Sequence, residues 1–368
     1  MAKMNGLKQT TGPMKQQGTS VGETMEFEVD LYPYFARKTL RKLVPFYAFV
    51  EITARCNFRC VHCQTSYSSR KKELTSKEIC SVLDQLADIG TFGLNITGGE
   101  PLVHPDFFKI VEHAKRREFV IRLCTNGFLI TKAIAERLAK LYLMEIYISI
   151  YGMDERTTNA VTGVSGACQR VLDNARLLID KGLRVLLRMP LLREDIGQIE
   201  RLERFARDIG ADFAPVPKIH ARFDRCQSPL DHLPTVAQLE SYLGSYPEHC
   251  RPSSVIPGSD QSVCTAGSGL IGISAYGDIM GCPFLRGECN IRDHSIASAI
   301  KNDPFIKRAR ELRWRDLPEC LRCKQLVHCR PCPGLFHLEN DTLTQPAATT
   351  VCRLSRMKKK LYDESARP

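Results

Sequence analysis

From Phe46 onward, short apolar runs alternate with stretches whose apolar residues recur at helical spacing. The pattern predicts strands near residues 46–53, 91–97, 120–124, 145–150, 183–189 and 212–216. Helices are predicted between them, near 75–89, 106–117, 131–140, 166–181 and 195–208. The first is the best marked: Thr75 is followed three residues later by Glu78, a capping box, and Ile79, Val82, Leu83, Leu86 and Ile89 share one face. Strands that alternate with helices build a parallel sheet, because only a crossover helix returns the chain to the same end. Such sheets collect reactive groups in the loops at the carboxyl ends of their strands.

The pattern breaks at 246–262, where Pro247, Pro252, Pro257 and Gly258 stand among serines. Beyond it, 264–352 carries eight cysteines with little periodicity and reads as a small domain held by metal rather than by a core. Residues 1–24 are polar and read as an arm, and Tyr32–Leu43 as a short basic helix. The expected organisation is an arm and short helix over 1–44, the sheet domain over 45–245, a linker over 246–263, and the cysteine-rich domain with a basic tail over 264–368.

Composition narrows the class. With 368 residues and 43% hydrophobic content the chain can bury a sizeable core. No run is long and apolar enough to span a membrane, and the polar start lacks the apolar heart of a secretory signal, so no membrane association and a cytoplasmic location are expected. Sixteen cysteines in such a chain read as metal or cluster ligands rather than disulfides. The charge of +11 is spread over helical faces and the tail at Arg356–Lys360, with no basic stripe interleaved with aromatics, so nucleic acid is not an expected partner.

The chemistry concentrates after the first strand, in Cys56-Asn57-Phe58-Arg59-Cys60-Val61-His62-Cys63. Three thiolates in one short loop hold three corners of a cubane iron–sulfur cluster and leave its fourth iron without a protein ligand. A structural zinc site would close with a fourth Cys or His, and His62 is hemmed between Val61 and Cys63. Gly98-Gly99-Glu100-Pro101 follows the second strand. Its glycines allow close backbone approach to a ligand, and the carboxylate of Glu100 can accept from an ammonium. Thr125-Asn126-Gly127 closes strand three as a turn or a ligand contact, and Arg188 at the end of strand five is placed either to meet a carboxylate or to lie on the surface.

These two motifs resemble those of the radical S-adenosylmethionine enzymes. The resemblance implies a partial (β/α)6 TIM-like barrel, with Cys56, Cys60 and Cys63 holding a [4Fe–4S] cluster whose open iron chelates the methionine end of S-adenosylmethionine. It further implies reductive cleavage of that cofactor to a 5′-deoxyadenosyl radical, which abstracts hydrogen from a substrate. By the same resemblance Gly98, Gly99, Glu100 and Pro101 contact the cofactor's amino group, and Ser149, in Ile148-Ser149-Ile150-Tyr151-Gly152, reaches the ribose. Tyr151 stands where relatives often carry Asp. His62 takes a usually aromatic position whose backbone approaches adenine. No catalytic acid or base is selected by spacing.

The later cysteines resemble the SPASM domain of radical enzymes: Cys264, Gly277 and Cys282, then Cys320, Cys323, Cys329, Cys332, and finally Cys352. Cys329 and Cys332 are separated by two residues, where the family pattern has three. The resemblance implies two auxiliary [4Fe–4S] clusters, one on Cys320, Cys323, Cys329 and Cys352, the other on Cys264, Cys282 and Cys332. Cys289 is an available extra thiolate; thiolate spacing alone also accommodates a pair of zinc sites. Pro283 stands where sulfatase-maturing relatives carry Asp. The expected function is therefore modification of a ribosomally synthesised precursor peptide, with tetrapyrrole side-chain modification as the alternative. A separate peptide-recognition protein and a reducing donor such as flavodoxin or ferredoxin are the implied partners.

Overall fold

The computed structural model describes residues 42–65 and 71–365. The expected arm over 1–24 and most of the basic segment before Leu43 lie outside them. Strands β1 (Tyr47–Glu51), β2 (Gly93–Thr97), β3 (Val120–Thr125), β4 (Glu145–Ser149), β5 (Val185–Pro190) and β6 (Asp212–Val216) pair in sequence order and all in parallel. Between them run α1 (Ser76–Asp88), α2 (Phe107–Arg116), α3 (Lys132–Ala139), α4 (Glu155–Thr162), α5 (Ala167–Asp180) and α6 (Ile199–Ile209). This is the predicted open barrel.

Alternation along each strand sorts its two faces. Ile121 and Leu123 of β3, Ile146 and Ile148 of β4, and Val185 and Leu187 of β5 are buried in one core with Ile110 of α2, Leu138 of α3 and Leu178 of α5. Each such fully buried aliphatic contributes about 1.5–3 kcal/mol. The intervening residues, Arg122 and Cys124, Glu145 and Tyr147, and Arg188, leave the opposite face polar. Cys124 belongs to that face, where burial pushes its thiol up to about 11. Cys80 is half-buried on α1.

Within the described residues of the sheet domain, two helices have no counterpart in the predicted pattern. Helix α4 is short and polar, starts where Asp154 accepts from Thr157 N at 2.8 Å, and ends at Gly163 with φ of 69°. Helix α7 (Val236–Ser245) opens on a capping box of Thr235 and Gln238.

The expected boundary at 264 does not interrupt the sheet. Strand β7 (Leu270–Ile273) pairs in parallel with β1, Tyr47 opposite Leu270, and β8 (Asp278–Cys282) and β9 (Leu285–Asn290) continue antiparallel. The result is one nine-stranded sheet in the order β6-β5-β4-β3-β2-β1-β7-β8-β9. Ile271, Ile273 and Ile279 share the main core with Ala48 and Val50 of β1. The first third of the cysteine-rich segment is thus held by apolar packing, against the expectation of a metal-held unit; β1 would otherwise be an open sheet edge, and β7 covers it. The remainder comprises α8 (Ile296–Asn302) and α12 (Arg353–Ser365), which pack into the main core, and α9 (Pro304–Glu311), α10 (Pro318–Leu321) and α11 (Pro333–Asn340), which contribute to two small apolar clusters. The expected linker is also anchored: Ser253 N donates to Val327 O at 2.7 Å, and the His328 ring contacts Cys250 O at 2.8 Å.

Candidate functional site

The carboxyl ends of β1, β2 and β3 are joined by a short series of hydrogen bonds. Gly99 N donates to Thr53 O at 2.8 Å and Glu100 N to Arg55 O at 2.9 Å, which ties the Gly-Gly-Glu turn to the segment leading into the cysteine loop. A Cβ on Gly98 would stand 2.2 Å from Thr53 O and one on Gly99 2.3 Å from Arg55 O, so no larger residue fits either position. Pro101 opens the following turn, Pro101–Val103.

Glu100 is fully buried, and its carboxylate accepts from Thr125 Oγ1 at 2.7 Å, Asn126 N at 2.7 Å and Leu102 N at 3.1 Å. Burial pushes this carboxyl up to about 7, against the pull of its three donors. The side chain read from the sequence as an ammonium acceptor is therefore turned inward, because a buried carboxylate needs local donors. It orders the end of β3 instead. Asn126, placed by Glu100, donates from Nδ2 to Asn57 Oδ1 at 2.8 Å and reaches Cys56 Sγ at 3.8 Å.

The cysteine loop is held from the other side by α4. Arg59 N donates to Thr162 O at 2.9 Å and Val61 N to Val161 O at 3.0 Å, and the Arg59 guanidinium closes back on Cys56 O at 2.7 Å. Phe58 N donates to Cys56 Sγ at 3.4 Å, and the Cys60 thiol meets the Tyr151 hydroxyl at 3.7 Å. Cys56, Cys60 and Cys63 lie within electrostatic reach of one another, and burial pushes the Cys60 thiol up to about 12. Thiols so placed stay protonated unless a cationic group displaces the protons, and an all-sulfur donor set suits iron–sulfur. The loop fits a cluster. The sequence marks Asn126 as a turn or ligand contact and Tyr151 as a departure from the family pattern, but the link of these two and of the α4 carbonyls to the thiols is spatial and was not legible there.

His62 stacks obliquely on Tyr151, ring centroids 5.3 Å apart, and its buried Nδ1 has no partner. Desolvation, then the charges of His232 and His220, push the imidazole down to about 4. Ser149 ends β4 opposite Arg188 of β5 and lines a small cleft with Phe58 and Tyr151. Arg188 is exposed and lies 5.3 Å over the Tyr147 ring.

All sixteen cysteines are free thiols. Beyond the loop, electrostatic proximity links seven of them in two groups: Cys282 is raised by burial, then by Cys332 and Cys264, while Cys320 is raised to about 12 by burial, then by Cys329, Cys352 and Cys323. No group of three or more His, Cys, Asp or Glu side chains converges on a single-ion site among the described residues. Cys289 stands apart. Its N–H donates to Asp303 Oδ2 at 2.8 Å and its thiol is raised by burial, then by Asp303, with no cysteine among its electrostatic partners. The extra-thiolate role expected for it does not match this placement.

An open α/β barrel that presents three thiols beyond its first strand, braced by the next two strand ends, defines an enzyme built to carry a thiol-bound cofactor. Residues 50–206 match the Radical SAM superfamily, so this stretch of the chain carries a radical S-adenosylmethionine domain. Such a domain implies a [4Fe–4S] cluster and S-adenosylmethionine. The chain is 28% identical over 306 residues to mycofactocin maturase MftC of Mycobacterium tuberculosis (strain ATCC 25618 / H37Rv), covering 76% of each. It is 25% identical over 346 residues to PqqA peptide cyclase of Bradyrhizobium diazoefficiens, covering 88% of this chain and 90% of the relative. The AdoMet-dependent heme synthase of Methanosarcina barkeri is 31% identical over 163 residues, 44% of this chain and 47% of the relative. Among solved structures, SuiB of Streptococcus suis bound to S-adenosylmethionine superposes with a TM-score of 0.66 at 18% identity, over 88% of this chain and 83% of that one, and shows the shared fold. SuiB is also known bound to its precursor peptide SuiA. No helix among the described residues is long and apolar enough to cross a membrane.

Proposed function

We propose that this enzyme modifies a ribosomally made precursor peptide. The observation that carries this reading is the extent of the likeness: the maturase and the peptide cyclase align over 76% and 88% of this chain, well beyond the barrel, whereas the heme synthase match spans 44%. Tetrapyrrole side-chain modification is the second reading, favoured by the higher identity of that shorter match.

In this reading Cys56, Cys60 and Cys63 hold the first cluster, the backbone of Gly98, Gly99, Glu100 and Pro101 borders the cofactor's methionine end, Ser149 reaches its ribose, and the backbone at His62 borders adenine. When bound, the reduced cluster and S-adenosylmethionine supply a 5′-deoxyadenosyl radical that takes a hydrogen atom from the substrate. The Phe58 N–H and the Asn126 amide donate toward Cys56 Sγ and stabilise its thiolate, and the Tyr151 hydroxyl does the same at Cys60. His62, neutral at physiological pH, places no positive charge beside the loop. Cys320, Cys323, Cys329 and Cys352 hold one auxiliary [4Fe–4S] cluster, and Cys264, Cys282 and Cys332 the other. The functional division is 45–245 for radical chemistry and 264–368 for the auxiliary clusters, joined by one sheet. A flavodoxin or ferredoxin donates electrons, a separate protein presents the peptide, and the enzyme works in the cytoplasm.

Two measurements test this. Anaerobically reconstituted protein with S-adenosylmethionine and a strong reductant is expected to yield 5′-deoxyadenosine, and the triple variant C56A/C60A/C63A none. Co-expression with a small precursor gene adjacent to this one is expected to change that peptide's mass; an unchanged peptide beside tetrapyrrole genes would transfer the assignment to the second reading.

A further inference from the structure

A cavity of about 900 Å³ lies outside the barrel, lined only by residues between Lys218 and Lys358. It is a second concave site, separate from the cysteine loop. Four cations line it: Lys218 beyond β6, Arg251 after the Pro247–Cys250 turn, Arg330 beside Cys329, and Lys358 on α12. One carboxylate, Glu248, lines it with them and sits 4.0 Å from His249 rather than on any of the four. None of the four forms an ion pair among the described residues. These five groups together give the wall a net charge of +3. Lys358 lies within electrostatic reach of Lys218 and Arg330, so the like charges converge rather than scatter. Holding like charges together around an open cavity is unfavourable unless a ligand of opposite sign is bound there. A four-thiolate cluster behind Cys329 would offset part of this charge, but Cys329 is the sole cysteine on the wall.

The rest of the lining sets apolar residues, among them Trp314, Val263, Val327 and Leu354, beside the hydrogen-bonding side chains of Ser253, Ser254, His328 and Ser355. Beside it Val255 and Ile256 are exposed at 68% and 71%. A small inorganic anion would satisfy the charge and leave this surface wet; an extended peptide with carboxylates and aliphatic side chains covers both, and the volume accommodates several residues.

We propose that this cavity binds an acidic, aliphatic-containing peptide segment, anchoring a precursor peptide at a point remote from the residue that reacts. This rests on the peptide reading of the function. The probe is a fluorescein-labelled peptide of alternating Glu and Leu, titrated by fluorescence anisotropy onto the full-length reconstituted enzyme at low and high salt. Saturable binding is expected, weakened by salt and absent for the Lys/Leu counterpart. The charge-reversal pair Lys218→Glu and Arg251→Glu is expected to weaken it at least roughly tenfold, while the conservative pair Lys218→Arg and Arg251→Lys retains it. Iron content and peptide-independent formation of 5′-deoxyadenosine are expected to be unchanged in both, which shows that the variants are folded. Equal binding by the charge-reversed pair, equal binding of the basic peptide, or full displacement by an equivalent concentration of citrate would overturn the proposal. A precursor modified equally well by the charge-reversed pair would overturn it while leaving the peptide reading intact; acidic peptide captured here by an enzyme that alters no peptide would do the reverse.

Discussion

Glu100→Gln isolates the one buried carboxyl that joins three strand ends. In the folded chain burial holds this group near 7, against an ordinary value of 4.5. The difference is worth about 3 kcal/mol at roughly 1.4 kcal/mol per pH unit. The sign follows from the upward displacement: below pH 4.5 the group is protonated in both folded and unfolded chains, between 4.5 and about 7 the unfolded chain releases a proton that the folded one retains, which disfavours the folded state, and above that both are ionised and the loss is complete. Stability should therefore fall by about 3 kcal/mol between pH 4.5 and pH 8 on account of this residue. Glutamine keeps the shape and removes the titration, but turns an amide toward the donors on Thr125, Asn126 or Leu102, at a cost of about 1–3 kcal/mol. Hence the variant should be clearly less stable than wild type at about pH 5, with the gap closing or reversing by about pH 8. Urea unfolding followed by the fluorescence of Trp314, the single tryptophan, reads this as the difference in midpoint at each pH. A wild-type-minus-variant difference that stayed flat across the range would refute the buried, elevated carboxyl.

Gly99→Ala forces a methyl group to within 2.3 Å of Arg55 O, so iron incorporation at the first cluster should drop severely, measured as iron per chain after reconstitution of a variant retaining only Cys56, Cys60 and Cys63 as cluster thiols. Replacing Asp154 by Ala removes the cap of α4 and should cost about 1 kcal/mol of thermal stability; because α4 carbonyls hold Arg59 N and Val61 N, the loop should also lose amide hydrogen-exchange protection there. Cys289→Ser should leave the iron count of the native enzyme unchanged, whereas Cys320→Ala should lower it. Tyr151→Phe removes a hydroxyl 3.7 Å from Cys60 Sγ and should lower the first cluster's reduction potential, read by redox titration with electron paramagnetic resonance.

The barrel was legible because its strands and helices obey local rules. Parallel strands buried against helices need continuous apolar runs, and α1 announces itself by a capping box and five apolar residues on one stripe. The thiol loop was legible for a similar reason, since three ligands within eight residues must share a site whatever surrounds them. Glu100 shows the limit: its identity and place after β2 were apparent, but the direction of its carboxylate depended on Thr125 and Asn126, which only strand pairing brings near. Helix α4 was missed because eight residues of which only Ala160 and Val161 are apolar carry little periodic signal, yet its last carbonyls hold the cysteine loop.

Spacing along the chain, then, determined the order of strands and the thiols of the first loop, both of which are properties of residues close in sequence or of a repeated pattern. Tertiary structure decided that β7 would close against β1, that Cys289 would face Asp303 instead of the other thiols, and that four cations distant in sequence would meet around one cavity. Sheet edges and the long-range field of charges are settled by what packs across the fold, and no local pattern of residues records it.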